Sequence, residues 1–422
     1  MTRLNKYSRY GEPNQIMLND LLKETFAYFL RHTDPDTGLI ADKTEAGSPS
    51  SIGVVGMGLS ALAVGVENKF IKRSEAIRRV LTVLRFAFES HQGHEADATG
   101  YKGFFYHFLD MKTGKRVWNC EISTIDSAFF IAGALSVAEY FNGDQPDEQE
   151  VRQLAHDLYG RMDWQWAMNG GESITNGWTP ENGFIPYRWD KGYSEAMILY
   201  ILALGSPTYP VQDVVYKKWI ASFEIRRVYD IEYIYAGPLF IHQFSHLWLD
   251  FRNIQDDFNT RIGFDYFENS RRATYVHRKY AQQNPGGFEQ YNEHFWGLSA
   301  SDGPGNQVLD VRGKTRTFYG YLSRGAPYGP DDGTVSPWAV VASLPFAPEI
   351  VLETIRYFME RFDLKHQKLY GFENSFNPTY PERNHNPEGW VSPYRFGLNQ
   401  GAIVIMIEND RSDLIWKLIK KK

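Results

Sequence analysis

Cysteine is almost missing from this chain: Cys120 is the single one. That excludes an internal disulfide framework and any multi-cysteine metal site. Basic clusters are missing too. The 45 Lys and Arg against 51 Asp and Glu leave a net charge of −6, and no stretch could grip a phosphate backbone, so nucleic acid is not an expected partner. No apolar run is long enough to span a bilayer, so no membrane partner is expected either. Met1 to Tyr10 is polar and lacks the apolar core of a secretory signal. A cytoplasmic location is expected for the chain as written, and a periplasmic one if Met1 is not the native start. There is no Pro/Ser linker, low-complexity run or shift in composition. Length alone suggests two or three domains of about 150 residues each; the missing boundaries favour one domain over residues 1–422.

Several catalytic motifs are also absent. There is no Gly-x-Ser-x-Gly elbow and no phosphate loop. The run Gly53-Val-Val-Gly56-Met-Gly58 has the wrong spacing for a dinucleotide loop and no preceding strand, so its glycines read as close helix packing. His242 and His246 lie at i, i+4 without the acidic third ligand of a zincin, so they read as core histidines. No metal and no cofactor is expected, and nothing points to a protein partner.

What the chain does have is alternation. Six segments are apolar nearly all round: Val54 to Val66, Ile125 to Ala138, Ala196 to Leu204, Leu239 to Leu249, Trp338 to Phe346 and Ala402 to Ile407. Six others are amphipathic: Leu18 to Arg31, Arg73 to Phe88, Asp147 to Arg161, Asp213 to Arg226, Ile254 to Arg278 and Pro348 to Phe362. A helix apolar on every side must be buried, and an amphipathic one must cover something. The pattern predicts an all-α fold, an (α/α)6 barrel of six inner and six outer helices. Connectors after the inner helices are tiny, as at Asn142 to Pro146, whereas those before them are long and rich in Trp, Tyr, Gly, Asp and Glu. The polar-aromatic residues therefore collect at the N-terminal ends of the inner helices. A faint repeat agrees: Gly38-Leu39, Gly103-Phe104, Gly183-Phe184 and Gly371-Phe372 each follow an amphipathic helix, where a left-handed turn suits glycine.

Tyr and Trp pair an apolar face with a polar tip, which suits the C–H faces and hydroxyls of sugar rings. They stand here beside carboxylates. In the stretch Asp110 to Phe130, Ser123 or Thr124 can cap a helix, with Glu121 just before it, Asp126 in its first turn and Trp118 upstream. Acids there complement the helix dipole, but two flanking one cap suggest chemistry. In the stretch Lys191 to Leu204, Ser194 is a candidate cap and Glu195 sits at the mouth of an apolar helix. Burial raises a carboxyl pKa, as a general acid needs at neutral pH, so Glu195 is the leading candidate. The loop before it supplies Trp178, Tyr187, Arg188 and Trp189. Further on, Glu289, Trp296, Asp302 and Asp332 are candidates to line a groove, and turn chemistry also accounts for the two aspartates. Glu373, Trp390, Tyr394 and Asn399 stand at the entry to the last inner helix, which Asn399 is expected to cap.

Longer motifs carry a resemblance. Tyr101-Lys-Gly-Phe-Phe-Tyr106-His-Phe-Leu-Asp110, Glu121-Ile-Ser-Thr-Ile-Asp126, Trp296-Gly-Leu-Ser-Ala-Ser-Asp302-Gly, Asp331-Asp-Gly-Thr and Asn399-Gln-Gly-Ala resemble the glycoamylase-like family, over about Leu18 to Trp416. That family consists of (α/α)6-barrel glycoside hydrolases. Its members include bacterial β-1,2-glucanases, and a related domain occurs in cyclic β-1,2-glucan synthases. The resemblance implies hydrolysis of β-1,2-glucan or its oligosaccharides, with Glu195 and the Glu121/Asp126 pair in pocket-lining motifs and Tyr106 among the substrate-binding positions. One departure stands out. Many relatives have Asp-Gln-Gly where this chain has Asn399-Gln400-Gly401, and an Asn cannot act as a base. Either that position is not the catalytic base or the mechanism differs. Alternatives follow: a transglycosylase, a glucan-binding protein without catalysis, or a glucoamylase acting on α-glucan.

Overall fold

The computed structural model describes residues 9–362, 369–384 and 386–420. Its helices follow the alternation in chain order. They are α1 (Glu12–Arg31), α2 (Ile52–Glu67), α3 (Arg73–Glu89), α4 (Thr124–Tyr140), α5 (Pro146–Gly160), α6 (Trp164–Ala167), α7 (Met197–Leu204), α8 (Asp213–Ile220), α9 (Asp257–Ile262), α10 (Tyr266–Gln283), α11 (Pro337–Ala342), α12 (Pro348–Phe362), α13 (Gly397–Ser412) and α14 (Leu414–Ile419). The strands are short two- and three-stranded pieces within the connectors. Gly38, Gly103, Gly183 and Gly371 all take positive φ, between 68° and 84°, as the faint repeat requires.

Three expected helices are built differently. Leu239 to Leu249 forms two 3-10 turns, Leu239–His242 and Ser245–Leu247. The Ser270 hydroxyl donates to the His242 carbonyl at 2.7 Å, and a carbonyl captured by a side chain weakens helix propagation. Asp213 to Arg226 stops at Ile220, and Ile225–Val228 then pairs with Ile231–Ile234. Tyr229 and Asp230, both at positive φ, make the two-residue turn that suits a hairpin of β-branched residues. Ile254 to Arg278 breaks at Gly263, which is left-handed at φ 81°, and restarts with Asp265 accepting from the Glu268 N–H at 2.8 Å.

By contact the chain divides into two compact units: Met1–Ala27 with Glu224–Asp413, and Tyr28–Phe223 with Leu414–Lys422. In the second, α2 and α4 are buried on nearly every face and press together. Glycines permit the approach. A Cβ on Gly133 would lie 2.0 Å from the Gly56 carbonyl oxygen, and one on Gly56 would lie 2.2 Å from that of Phe129. This is the close packing expected of the Gly53–Gly58 run. Amphipathic α3 and α5 pack on each other, and α14 packs on α4. In the first unit α11 packs on α12 and α13, and an ion pair between Arg324 and Asp332, 2.6 Å apart with both side chains fully enclosed, pins the loop before α11. His242 and His246 are core residues, facing the Ala236 carbonyl at 3.1 Å and the Ser270 hydroxyl at 3.0 Å. Among the described residues, no helix is long and apolar enough to cross a membrane.

Candidate active site

The strand Ile122–Ser123 leads directly into α4, and its position is fixed from two sides. Ile122 and Ser123 pair with Trp178 and Gly177, and the His107 N–H donates to the Glu121 carbonyl at 2.9 Å. The Ser123 hydroxyl caps α4 by accepting from the Asp126 N–H at 3.2 Å while donating to the Asp126 carboxylate at 2.6 Å. Strand pairing thus sets His107 between two acids. Its Nδ1 is 3.1 Å from Glu121 Oε1, and its Nε2 is 3.5 Å from Asp126 Oδ2.

Burial works against a charged imidazole, but the Asp126 charge, the Glu121 hydrogen bond and the Glu121 and Asp42 charges prevail and raise His107 to about 9. It is therefore an imidazolium at neutral pH. Burial likewise opposes ionisation of Glu121, yet its bond to His107 and the charge there hold its carboxyl below the usual range. The imidazolium also stacks on Phe108, with centroids 4.1 Å apart and rings 11° from parallel.

Glu195 lies just ahead of α7, whose cap position is Ala196; Ser194, the expected cap, only approaches the Ala196 N–H at 3.4 Å. Glu195 is half-buried, with protein atoms packed around its carboxyl. That burial raises its carboxyl to about 7, and the negative charge of Asp126 adds to the effect. One neighbourhood therefore holds a carboxyl raised to about 7, Glu195, and a carboxyl that His107 holds below the usual range, Glu121. His107 and Asp42 were not singled out from the sequence. His107 stands in the Tyr101–Asp110 motif, and Asp42 lies in the connector before α2.

The expected aromatics divide. Trp118 is 65 % exposed and its ring lies 5.0 Å from Phe108, which in turn carries His107. Trp178 sits on the strand beside Ile122 with Tyr101 at 4.9 Å. Trp189 donates to the Thr124 hydroxyl at 3.0 Å, and Tyr187 is 69 % exposed. Arg188 is committed to the loop itself, donating to the carbonyls of Ser173 and Met168 at 2.6 and 3.1 Å. Tyr106 is a correction: it is fully buried, with the Arg116 guanidinium 4.9 Å from its ring.

In the other unit, two more expectations are corrected. Trp296 is buried and donates to Thr354 at 2.9 Å, and Asp332 is the buried partner of Arg324, so neither reaches a ligand. Glu373 pairs with Arg395 at 2.7 Å, both buried. Glu289 pairs with Arg312 at 3.2 Å. Asp302 accepts from the Ser392 hydroxyl at 3.1 Å, while Trp390 and Tyr394 are half-buried. Asn399 does not cap α13, whose cap position is Phe396; its amide lies in the first turn and donates to Asn374.

A family model described as "Glycoamylase: Putative glucoamylase" matches residues 186–422. A crystal structure of a "putative glucoamylase" from Bacteroides uniformis is 31 % identical, covers 98 % of this chain and 96 % of its own, and superposes with a TM-score of 0.84. This chain belongs to the Glycoamylase family. Its fold is the (α/α)6 barrel shared with its relatives. An endo-β-1,2-glucanase from Chitinophaga pinensis, solved with sophorotriose and glucose, is 26 % identical over 97 % of this chain and 95 % of that one, with a TM-score of 0.82. An exo β-1,2-glucooligosaccharide sophorohydrolase (non-reducing end) of Parabacteroides distasonis is 26 % identical over 97 % of this chain. The chain spans 56 % of the length of that curated relative.

Proposed function

We propose that this protein is a glycoside hydrolase acting on β-1,2-glucan or β-1,2-glucooligosaccharides. The observation that carries the reading is the grouping of acids at helix mouths: Glu121 and Asp126 held 3.1 and 3.5 Å from His107, with Glu195 ahead of α7 raised by burial and by the Asp126 charge, the kind of acid pairing a glycosidase needs. Glu195 passes its proton to the glycosidic oxygen as that oxygen's bond to the anomeric carbon breaks. Asp126 is the partner carboxylate; it takes a proton from the water whose oxygen adds to the anomeric carbon, and exchange with solvent then removes that proton from Asp126 and returns one to Glu195. Glu121 positions His107, and His107 holds both acids in place. Trp118, Trp178, Tyr187 and Trp189 offer ring faces to the sugars. The β-1,2 linkage is supported by the names of the Chitinophaga and Parabacteroides relatives.

A second reading, glucan binding without turnover, is favoured by the amide at Asn399. One experiment separates the two. Linear β-1,2-glucan, maltooligosaccharides and laminarin are each incubated with the wild type and with Glu195→Gln, and the products are resolved by size. Short products and new reducing ends from β-1,2-glucan alone, absent with the variant, support hydrolysis. Products from maltooligosaccharides instead would sink the linkage, and longer or cyclic products would indicate transfer. Intact glucan retained by the protein would leave binding alone.

A further inference from the structure

The unit built from Met1–Ala27 and Glu224–Asp413 exposes a polar-aromatic surface of its own. Tyr328 is 63 % exposed, and its ring centroid lies 5.7 Å from that of Tyr235, with the rings tilted 56° to each other. The Arg226 guanidinium sits against both, 4.3 Å from the Tyr235 centroid and 5.3 Å from that of Tyr328. Glu224 in turn accepts from Arg226 at 2.7 and 3.1 Å, which fixes the guanidinium in one orientation.

The corner is built before any ligand arrives. Tyr235 packs on the cluster of Val228, Tyr233, Ala273 and Val276. The loop that carries Tyr328 is stitched to the one that carries Tyr235: the Ala326 N–H donates to the Gly237 carbonyl at 3.0 Å. A Cβ on Gly325 would lie 2.5 Å from the Gly237 backbone, so only glycine allows the loops to meet this closely. Rigid rings lose little conformational freedom on binding, which is what makes an aromatic surface an efficient contact.

We propose that Tyr328, Tyr235 and Arg226 form an accessory subsite that holds one glucosyl unit of a long glucan chain. A tyrosine face meets the C–H face of a pyranose, and the phenol and guanidinium N–H groups reach its hydroxyls. The acid that neutralises Arg226 is already present in Glu224, so the site favours a neutral ligand over an anion. The proposal rests on the glucan reading given above.

The test uses the full chain and the exposed Tyr328. Tyr328→Ala and Tyr328→Phe are made in the wild type and in Glu195→Gln. Binding is read by retardation in native gels that contain linear β-1,2-glucan, and turnover is read on polymer and on a short β-1,2 oligomer. Tyr328→Ala is expected to weaken polymer binding about fivefold, the loss of one ring contact, and to raise KM for polymer, leaving turnover of the short oligomer unchanged. Tyr328→Phe, which keeps the face, retains most of the polymer binding. Equal retardation of Tyr328→Ala and its parent overturns the subsite while leaving the hydrolase reading intact. A parent protein that neither binds nor cleaves β-1,2-glucan overturns both. Equal losses on polymer and short oligomer also overturn the accessory role, since they place Tyr328 at the reacting sugars.

Discussion

Replacing His107 with Gln tests the electrostatics of the site most directly. The amide can still donate to Glu121, but the positive charge between Glu121 and Asp126 is gone. The rise of His107 from 6.5 to about 9 corresponds to about 3 kcal/mol favouring the imidazolium in the folded protein. The side chain is 29 % exposed, so water screens part of this and about 2–3 kcal/mol is expected. The folded pKa lies above the unfolded one. The stabilisation is therefore complete below pH 6.5, shrinks as pH climbs, and is gone above about 9. Two measurements read it. Histidine-selective labelling and NMR should show one imidazole titrating near 9 that is missing in His107→Gln. Calorimetry should show a gap in stability between wild type and variant near pH 6 that has largely closed by about pH 9.5. A gap of equal size at both pH values, or a His107 resonance that titrates near 6.5, would refute the clamped imidazolium.

Four further outcomes are expected. Glu195→Gln should lower kcat by about 10²–10⁴ without unfolding the chain, and the wild-type kcat/KM should fall as pH rises past about 7, where the acid loses its proton; a flat profile across that range would remove Glu195 from the role. Gly133→Ala should cost at least about 2 kcal/mol, because its Cβ would meet the Gly56 carbonyl at 2.0 Å, and an unchanged melting temperature would contradict that packing. Asp332→Asn should destabilise by about 3–5 kcal/mol by stranding the enclosed Arg324, read by thermal denaturation. His242, His246 and His277 are pushed by burial to about 4, 3 and 3, so the folded protein keeps them neutral. Their contribution is whole above pH 6.5 and erodes as pH falls toward those values, and mutating any one to Gln should flatten the acid limb of a stability–pH curve.

Much of the fold was legible because burial on every side leaves a plain mark. α2, α4 and α13 cannot be anything but interior helices, and α12 came out with its expected bounds, Pro348–Phe362. What failed was local chemistry that composition does not record. Leu239 to Leu249 is as apolar as α4, but a serine some thirty residues away claims one of its carbonyls. Arg226 looked like the end of a charged helix, and it lies in a hairpin because Tyr229 and Asp230 accept left-handed geometry. The site divides along the same line. Glu121, Asp126 and Glu195 announce themselves as acids at helix mouths. His107 has no partner at helical or metal-ligand spacing; its neighbours come to it through pairing across fourteen residues, a register that single-sequence periodicity does not encode. Tyr106 and Trp296 are the converse case: an aromatic in a polar-looking loop gives no sign of whether it faces solvent or the interior, and both are buried.

The way the chain is shared between its two compact units also matters during synthesis. The first unit needs Met1–Ala27 and then nothing until Glu224, while the second needs Leu414–Lys422 after the whole of the first has been made. At about 5–20 residues per second, the apolar face of α1, with Leu18, Leu21, Leu22 and Phe26, waits on the order of ten to forty seconds for its partners to leave the ribosome. α4, which carries Asp126, is not covered by α14 until the last of these residues emerges. The second unit cannot be completed ahead of the first, and the first cannot be completed before Asp413, so chaperone occupancy of a half-made chain should be high while α1 waits.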